Sequence, residues 1–273
     1  MALMVGSGPF GREPAGSFNF EIDAPKRQLY LEHSPRRIRA VIGGEVVADS
    51  TDAHLLHETG LMPVYYLPRS DGREDLLERS GTSTHCRFKG DASYWHVRLG
   101  DEVREDAVWS YPDPLVGAPP LAELVAFAWG AVDDWYEEAE RIGVHPRDPY
   151  HRCDMVRSDR HVIIRVDDEV VAQSDRARVL FETGLPARSY LPAEVVEASL
   201  LEESDTVTAC PYKGPTSRYH SIRIGDRLIE DAIWVYDHPH DEVRAIAGLL
   251  AFYDDEVHIE ATPARWNIPE PVT

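Results

Sequence analysis

Two motifs carry the side chains best suited to chemistry. The first is Cys86-x-x-Lys89-Gly90, which returns as Cys210-x-x-Lys213-Gly214. A thiolate or a desolvated amine is a nucleophile or a base, so the pair suits covalent or acid–base work wherever folding aims both groups at one point. In an extended strand Cys86 shares a face with Phe88, while His85, Arg87 and Lys89 point to the other. A direct Cys86–Lys89 pair therefore needs a bulge, which Gly90 can supply; Cys210 and Lys213 obey the same rule. The plainer alternative is a small core thiol beside a solvated edge lysine that discourages sheet aggregation.

The second motif is Glu105-Asp106-Ala107-Val108-Trp109-Ser110-Tyr111, matched by Glu230-Asp231-Ala232-Ile233-Trp234-Val235-Tyr236. Strand alternation puts Glu105, Trp109 and Tyr111 on one face, and Glu230, Trp234 and Tyr236 on its counterpart. A carboxylate buried against tryptophan has a raised pKa and serves as a general acid or base; one at the strand start is simply exposed. Asp106 and Asp231, on the opposite face, compete for the same role. His96 and His220 are the histidines matched across the repeat. With Cys86, Lys89 and Glu58 they could activate a nucleophile, provided the fold gathers them. One Cys and one His per domain fall short of a structural zinc quartet, and no metal site is expected. Glu58 and Glu182 close a predicted short helix, where the dipole disfavours a carboxylate, so a partner such as Lys89 or an arginine is expected there.

These motifs sit in a chain written twice. Glu58-Thr59-Gly60-Leu61 returns as Glu182-Thr183-Gly184-Leu185 at an offset of 124, and the second motif returns at 125. A period so much longer than the roughly 20–50 residues of solenoids predicts two similar globular domains. Residues 1–25 read as an N-terminal arm, 26–141 as the first repeat, 142–150 as a linker stiffened by Pro146 and Pro149, and 151–273 as the second repeat with a C-terminal tail. Each repeat begins with a hairpin, turning at Gly43-Gly44 or Asp167-Asp168. A second hairpin turns at Gly100-Asp101 or Gly225-Asp226. Ser50 and Ser174 as N-caps, with Gly60 and Gly184 past the end, predict one short helix per domain. The segments 121–138 and 246–259 read as strand, turn, strand. The pattern is mainly β, with the two copies expected to pack about a pseudo-twofold axis.

Composition excludes several classes. A net charge of −20 spread over both copies, with no concentrated Lys/Arg footprint, argues against nucleic acid. The absence of a long apolar run and of a signal-peptide pattern argues against a membrane and for the cytoplasm. Cys86, Cys153 and Cys210 cannot all pair, and two of them are matched across the repeat, so reduced thiols are expected.

With Tyr65-Tyr66-Leu67-Pro68 before the Cys-x-x-Lys-Gly run and Val108-Trp109-Ser110-Tyr111 after it, each copy resembles the bacterial family known as domain of unknown function four-two-seven. The resemblance implies a small β-sheet domain of Mss4-like or β-tent type. The family is also labelled nucleotidyltransferase-like, but metal-dependent nucleotidyl transfer needs converging carboxylates, and no Asp-x-Asp pair occurs. The second copy has Arg218 where the first has Tyr94, and Asp237-His238 where the first has Pro112-Asp113. Function is expected to be small-molecule binding in two copies, at a pocket formed by Glu58, Lys89, Trp109 and Tyr111 and by Glu182, Lys213, Trp234 and Tyr236. The alternatives are a hydrolase or group-transfer enzyme using the same pocket, with Cys86, Lys89, Glu105 and His96 or Cys210, Lys213, Glu230 and His220, and a protein-interaction module. The cofactor is not specified by any motif.

Overall fold

The computed structural model describes residues 3–21, 23 and 25–263. The expected C-terminal tail past residue 263 lies outside the described residues. The chain divides into two compact units, Met1–Tyr150 and His151–Thr273. Both are mainly β, and every named strand pair is antiparallel.

The first unit contains Leu29–His33 (β1), Ile38–Ile42 (β2), Glu45–Ser50 (β3), His54–Glu58 (β4), Leu61–Pro68 (β5), Leu77–Cys86 (β6), Gly90–Leu99 (β7), Glu102–Ser110 (β8), Leu124–Phe127 (β9), Asp134–Glu137 (β10) and Glu140–Ile142 (β11). They form a seven-stranded sheet, β1-β4-β5-β9-β8-β7-β6, and a four-stranded one, β11-β10-β2-β3. Ile38, Ala40 and Ile42 alternate into a core shared with Leu55, Tyr65, Trp95, Val97 and Trp135. Their neighbours Leu56 and Tyr66 enter a second cluster with Ala92, Tyr111 and Leu121. Consecutive residues pointing to opposite faces, both buried, make β4 and β5 two-sided strands of the long sheet.

The second unit repeats this plan with Cys153–Arg157 (β12), His161–Val166 (β13), Glu169–Ser174 (β14), Arg178–Glu182 (β15), Arg188–Leu191 (β16), Leu201–Ser204 (β17), Ala209–Cys210 (β18), Gly214–Pro215 (β19), Arg218–Ile224 (β20), Arg227–Val235 (β21), Leu250–Phe252 (β22) and His258–Thr262 (β23). Its sheets are β12-β15-β16-β22-β21-β20-β17, β14-β13-β23 and the two-residue ribbon β18-β19. The hairpins at Gly43-Gly44, Asp167-Asp168, Gly100-Asp101 and Gly225-Asp226 all form, and the segments 121–138 and 246–259 supply strands.

The expected helix is corrected. Residues 54–58 and 178–182 are strands, and the helical elements among the described residues are six short 3-10 segments. Two turns are too short to offset helix nucleation, and the adjacent pair Leu55-Leu56 is buried on both faces by period-two geometry. Ser50 instead accepts a hydrogen bond from the Asp52 N–H within a turn.

Alternation along β8 is also corrected. Asp106 and Asp231 have φ values of 49° and 52°, and the β7–β8 and β20–β21 registers shift there. Asp tolerates this left-handed backbone, and each bulge is clasped by hydroxyls: Thr82 donates to Asp106 and Thr206 to Asp231. Ala107 and Val108 are therefore both buried while Glu105 turns outward, and Glu230 does likewise. Asp231→Val, which favours neither the backbone nor the hydroxyl, should destabilise the protein by about 1–2 kcal/mol in urea denaturation, with Asp231→Asn close to unchanged.

Candidate functional site

The Cys-x-x-Lys-Gly run is a hairpin turn, not a length of strand. Cys86 and Gly90 are the last paired residues of β6 and β7, and the Lys89 N–H donates to the Cys86 carbonyl at 3.2 Å. Gly90 has φ 105°, and a Cβ there would lie 3.1 Å from the Asp113 carbonyl oxygen. The Leu115 N–H donates to the Lys89 carbonyl, which fixes the turn to the segment after β8. The turn carries Lys89 inward, where its ammonium meets Glu58 at the end of β4. Both are buried, at 7% and 5% exposure, which corrects the solvated-lysine alternative. Tyr111 places its ring 5.3 Å from the ammonium, and the Trp109 indole N–H donates to the Tyr66 hydroxyl at 3.2 Å. Burial raises the pKa of Tyr66 and Tyr111 further above the usual phenol range.

The second unit builds the same device. The Lys213 N–H donates to the Cys210 carbonyl, the His240 N–H donates to the Lys213 carbonyl, and Gly214 has φ 97°. The Lys213 ammonium reaches Glu182 Oε2 at 2.6 Å. Here Glu182 has a second partner, His151 Nε2, 3.1 Å from Oε1. Burial pushes this carboxyl up, but the hydrogen bond from His151 and the charge of Lys213 outweigh it and hold the pKa down to about 2. Burial lowers Lys213, and the neighbouring Cys210 and Glu182 reverse that, leaving it raised. Burial also pushes the Cys153 thiol up to about 12. Trp234 and Tyr236 pack in a cluster with Tyr190 and Tyr219, as Trp109 and Tyr111 do with Tyr66.

Two groups of expected site residues are not brought together. His96 stands six residues along β7 from Gly90, about 20 Å at the strand rise, and Glu105 is at the same far end. Neither can act with Cys86 or Lys89 in one step. His96 accepts the Asp106 backbone N–H at Nδ1, at 2.9 Å, and so belongs to the bulge. Register also shows that His96 and His220 are not equivalent. Trp95 pairs with Val108 and His220 with Ile233, so the counterpart of His96 is Ser221, whose hydroxyl accepts the Asp231 N–H. By the same register Tyr94 corresponds to Tyr219, not Arg218. The extra residue of the second copy lies between the hairpin turn and β20, ahead of the histidines. His220 is buried and held below the usual imidazole range by that burial and by the Arg218 charge.

Outside the hairpin of the first unit is a cleft of about 440 Å³ lined by Arg12, Lys26, Arg27, Arg87 and Phe88 with Cys86 in its wall. The guanidinium carbons of Arg27 and Arg87 lie 5.6 and 4.7 Å from the centroid of the Phe88 ring. Arg12 lies across Gly60, with Nε 2.3 Å from where a Cβ would stand, so a side chain there would displace it. Among the described residues no carboxylate lies within ion-pair distance of these four cations. At the matched positions 124 residues on, Tyr150, His151 and Pro211 stand in place of Lys26, Arg27 and Arg87, and His151 stacks on Tyr212 with ring centroids 3.8 Å apart. Of the four cations only Arg87 lies in a motif, and Arg12, Lys26 and Arg27 stand some 60 residues or more before it in sequence, so only the fold shows that they converge. His151, Cys153 and Glu182 form a second group missed in the sequence, with donor atoms all within 4.8 Å of one another. Neither His151 nor Cys153 is matched in the first copy, which has Arg27 and Leu29 there, so a repeat-based search passes over them.

The family described as a domain of unknown function (DUF427) matches residues 30–138 and 154–262. No curated protein matches the chain.

The buried pair is testable through stability. Lys213→Met takes the ammonium away from the buried Glu182 carboxylate, leaving its charge to His151, and should cost about 3 kcal/mol in urea denaturation, most of it recovered in the Lys213→Met/Glu182→Leu double variant. Because Glu182 is depressed in the folded state, its contribution is complete above the ordinary carboxyl value of 4.5 and is lost as pH falls toward about 2. The acid limb of the stability profile should therefore flatten in the double variant.

Proposed function

The chain belongs to this family of unknown function, with its domain carried twice, and on that premise we propose that the first unit binds a small anionic ligand in the cleft over the Cys86–Gly90 hairpin. The observation that carries this reading is the convergence of Arg12, Lys26, Arg27 and Arg87 on one concavity without a lining carboxylate, in a chain of net charge −20. Surface cations in so acidic a protein ordinarily find carboxylates, as Arg37 does with Asp49 and Arg98 with Glu78. Four that do not, with Arg27 and Arg87 over the Phe88 ring and Arg12 across Gly60, suit a phosphate or carboxylate group, which guanidinium recognises through paired hydrogen bonds.

The Glu58–Lys89 pair has a supporting role in this reading. Lys89 is committed to Glu58 beneath the hairpin, so the ligand is met by the outer arginines while the pair keeps the turn in place. Group transfer at the same cleft would rest on Cys86, but His96 and Glu105 are too distant to serve it as a base. The Mss4-like arrangement implied by the family and a cytoplasmic setting for the reduced thiols belong to the same proposal.

Isothermal titration of the full chain with inorganic pyrophosphate, at low and moderate salt, tests the cleft. Saturable binding should weaken about tenfold or more in Arg27→Gln or Arg87→Gln, fall with added salt, and persist in Arg244→Gln of the second unit. No saturable binding, or binding indifferent to both arginines, would overturn the proposal.

A further inference from the structure

We infer that the second unit is a binding site for a divalent metal ion of borderline softness, zinc foremost, held by His151 Nε2, Cys153 Sγ and Glu182 Oε1. The site goes beyond the anion cleft: it lies in the other copy and takes a ligand of opposite charge. It also departs from the expectation of no metal, which considered only the cysteine and histidine matched across the repeat.

Topology places these donors together. Cys153 and Glu182 are direct cross-strand partners on β12 and β15. His151 precedes Cys153 by two residues, so the two side chains project to the same side of an extended chain. The His151 Nε2–Glu182 Oε1 separation is 3.1 Å and the Cys153 Sγ–His151 Nε2 separation is 3.7 Å. A tetrahedral zinc with ordinary bond lengths has N–O and N–S edges of about 3.3 and 3.6 Å. The imidazole thus stands nearly at coordinating separation from both other donors, and all three donor atoms lie within 4.8 Å of one another.

The surroundings hold each donor in orientation. The imidazole ring is stacked on Tyr212, and Glu182 keeps its other oxygen on the Lys213 ammonium at 2.6 Å, leaving Oε1 for the ion. Nitrogen, thiolate sulfur and carboxylate oxygen together select zinc or cobalt over magnesium and calcium, which demand oxygen. Three protein donors leave a position for water or an exogenous ligand. Binding replaces the thiol proton of Cys153 with the ion and releases that proton to solvent. The first unit has Leu29 where the second has Cys153, so one site per chain follows.

The test is titration of the chelator-treated full chain with cobalt(II) alone, followed by its displacement with zinc. The expected result is a near-ultraviolet thiolate-to-cobalt band that saturates at one equivalent, disappears on adding zinc, and is retained in Cys86→Ser. Cys153→Ser should abolish the band and His151→Gln should weaken cobalt affinity at least tenfold. Cys153→Leu, which installs the residue of the first copy, provides a second thiol-free variant should the serine impair folding. No thiolate band in the parent chain, or a band that survives loss of Cys153 in a folded variant, would overturn the inference.

Discussion

An ammonium removed from water must find a carboxylate, and in each unit that requirement joins the tip of one hairpin to the end of a distant strand. Glu58 closes β4 and Lys89 caps β6–β7; Glu182 and Lys213 repeat the contact. Desolvating both charges is costly, and the balance is recovered only where further contacts complete the set. Tyr111 beside Lys89 and His151 beside Glu182 are such contacts. The turn is in turn clamped through the Lys89 and Lys213 carbonyls, so the ion pair, the left-handed glycine and the following loop form one mechanical unit. The cationic cleft lies outside the first of these units, and the second lends Glu182 itself to the His151–Cys153 donor set.

The two copies keep this frame and differ at its rim. Around the first hairpin, guanidiniums surround Phe88. Around the second, a proline and a histidine stacked on tyrosine replace them, and a thiol stands where the first copy has leucine. A duplicated domain with one conserved internal ion pair can thus offer a cationic surface in one copy and a soft donor set in the other. Matching by sequence alone treats the copies as duplicates of one site, which their peripheries contradict.

Much of the fold was legible in the residues. Turn chemistry located the hairpins at Gly43-Gly44 and Gly100-Asp101, and the repeat carried those assignments to the second copy. The helix expected at 50–60 was misread because a cap residue and a glycine bracket the segment, whereas burial on both faces of the long sheet decided its conformation. The partnership of Glu58 with a cation was legible from its unfavourable setting, though the setting was a strand end and not a helix end. The placement of Glu105 was not legible, because one left-handed residue at Asp106 inverts everything that alternation predicts upstream of it. Nor was the pairing of His96 with Ser221: an insertion positioned before β20 leaves two histidines aligned in letters and offset in space.

The clasped bulge has a consequence for how the molecule behaves among its own copies. β6 is an outer strand of the long sheet, with a free row of backbone donors and acceptors that could recruit a strand from another molecule. Its register breaks between Arg79 and Ser83, at the level where Thr82 is turned toward Asp106 on β8. A strand arriving from solvent would meet an interrupted ladder partway along, and β17, which ends at Ser204 short of Thr206, presents a still shorter one. The same local distortion that shapes the interior of the sheet thereby guards its border against edge-to-edge aggregation.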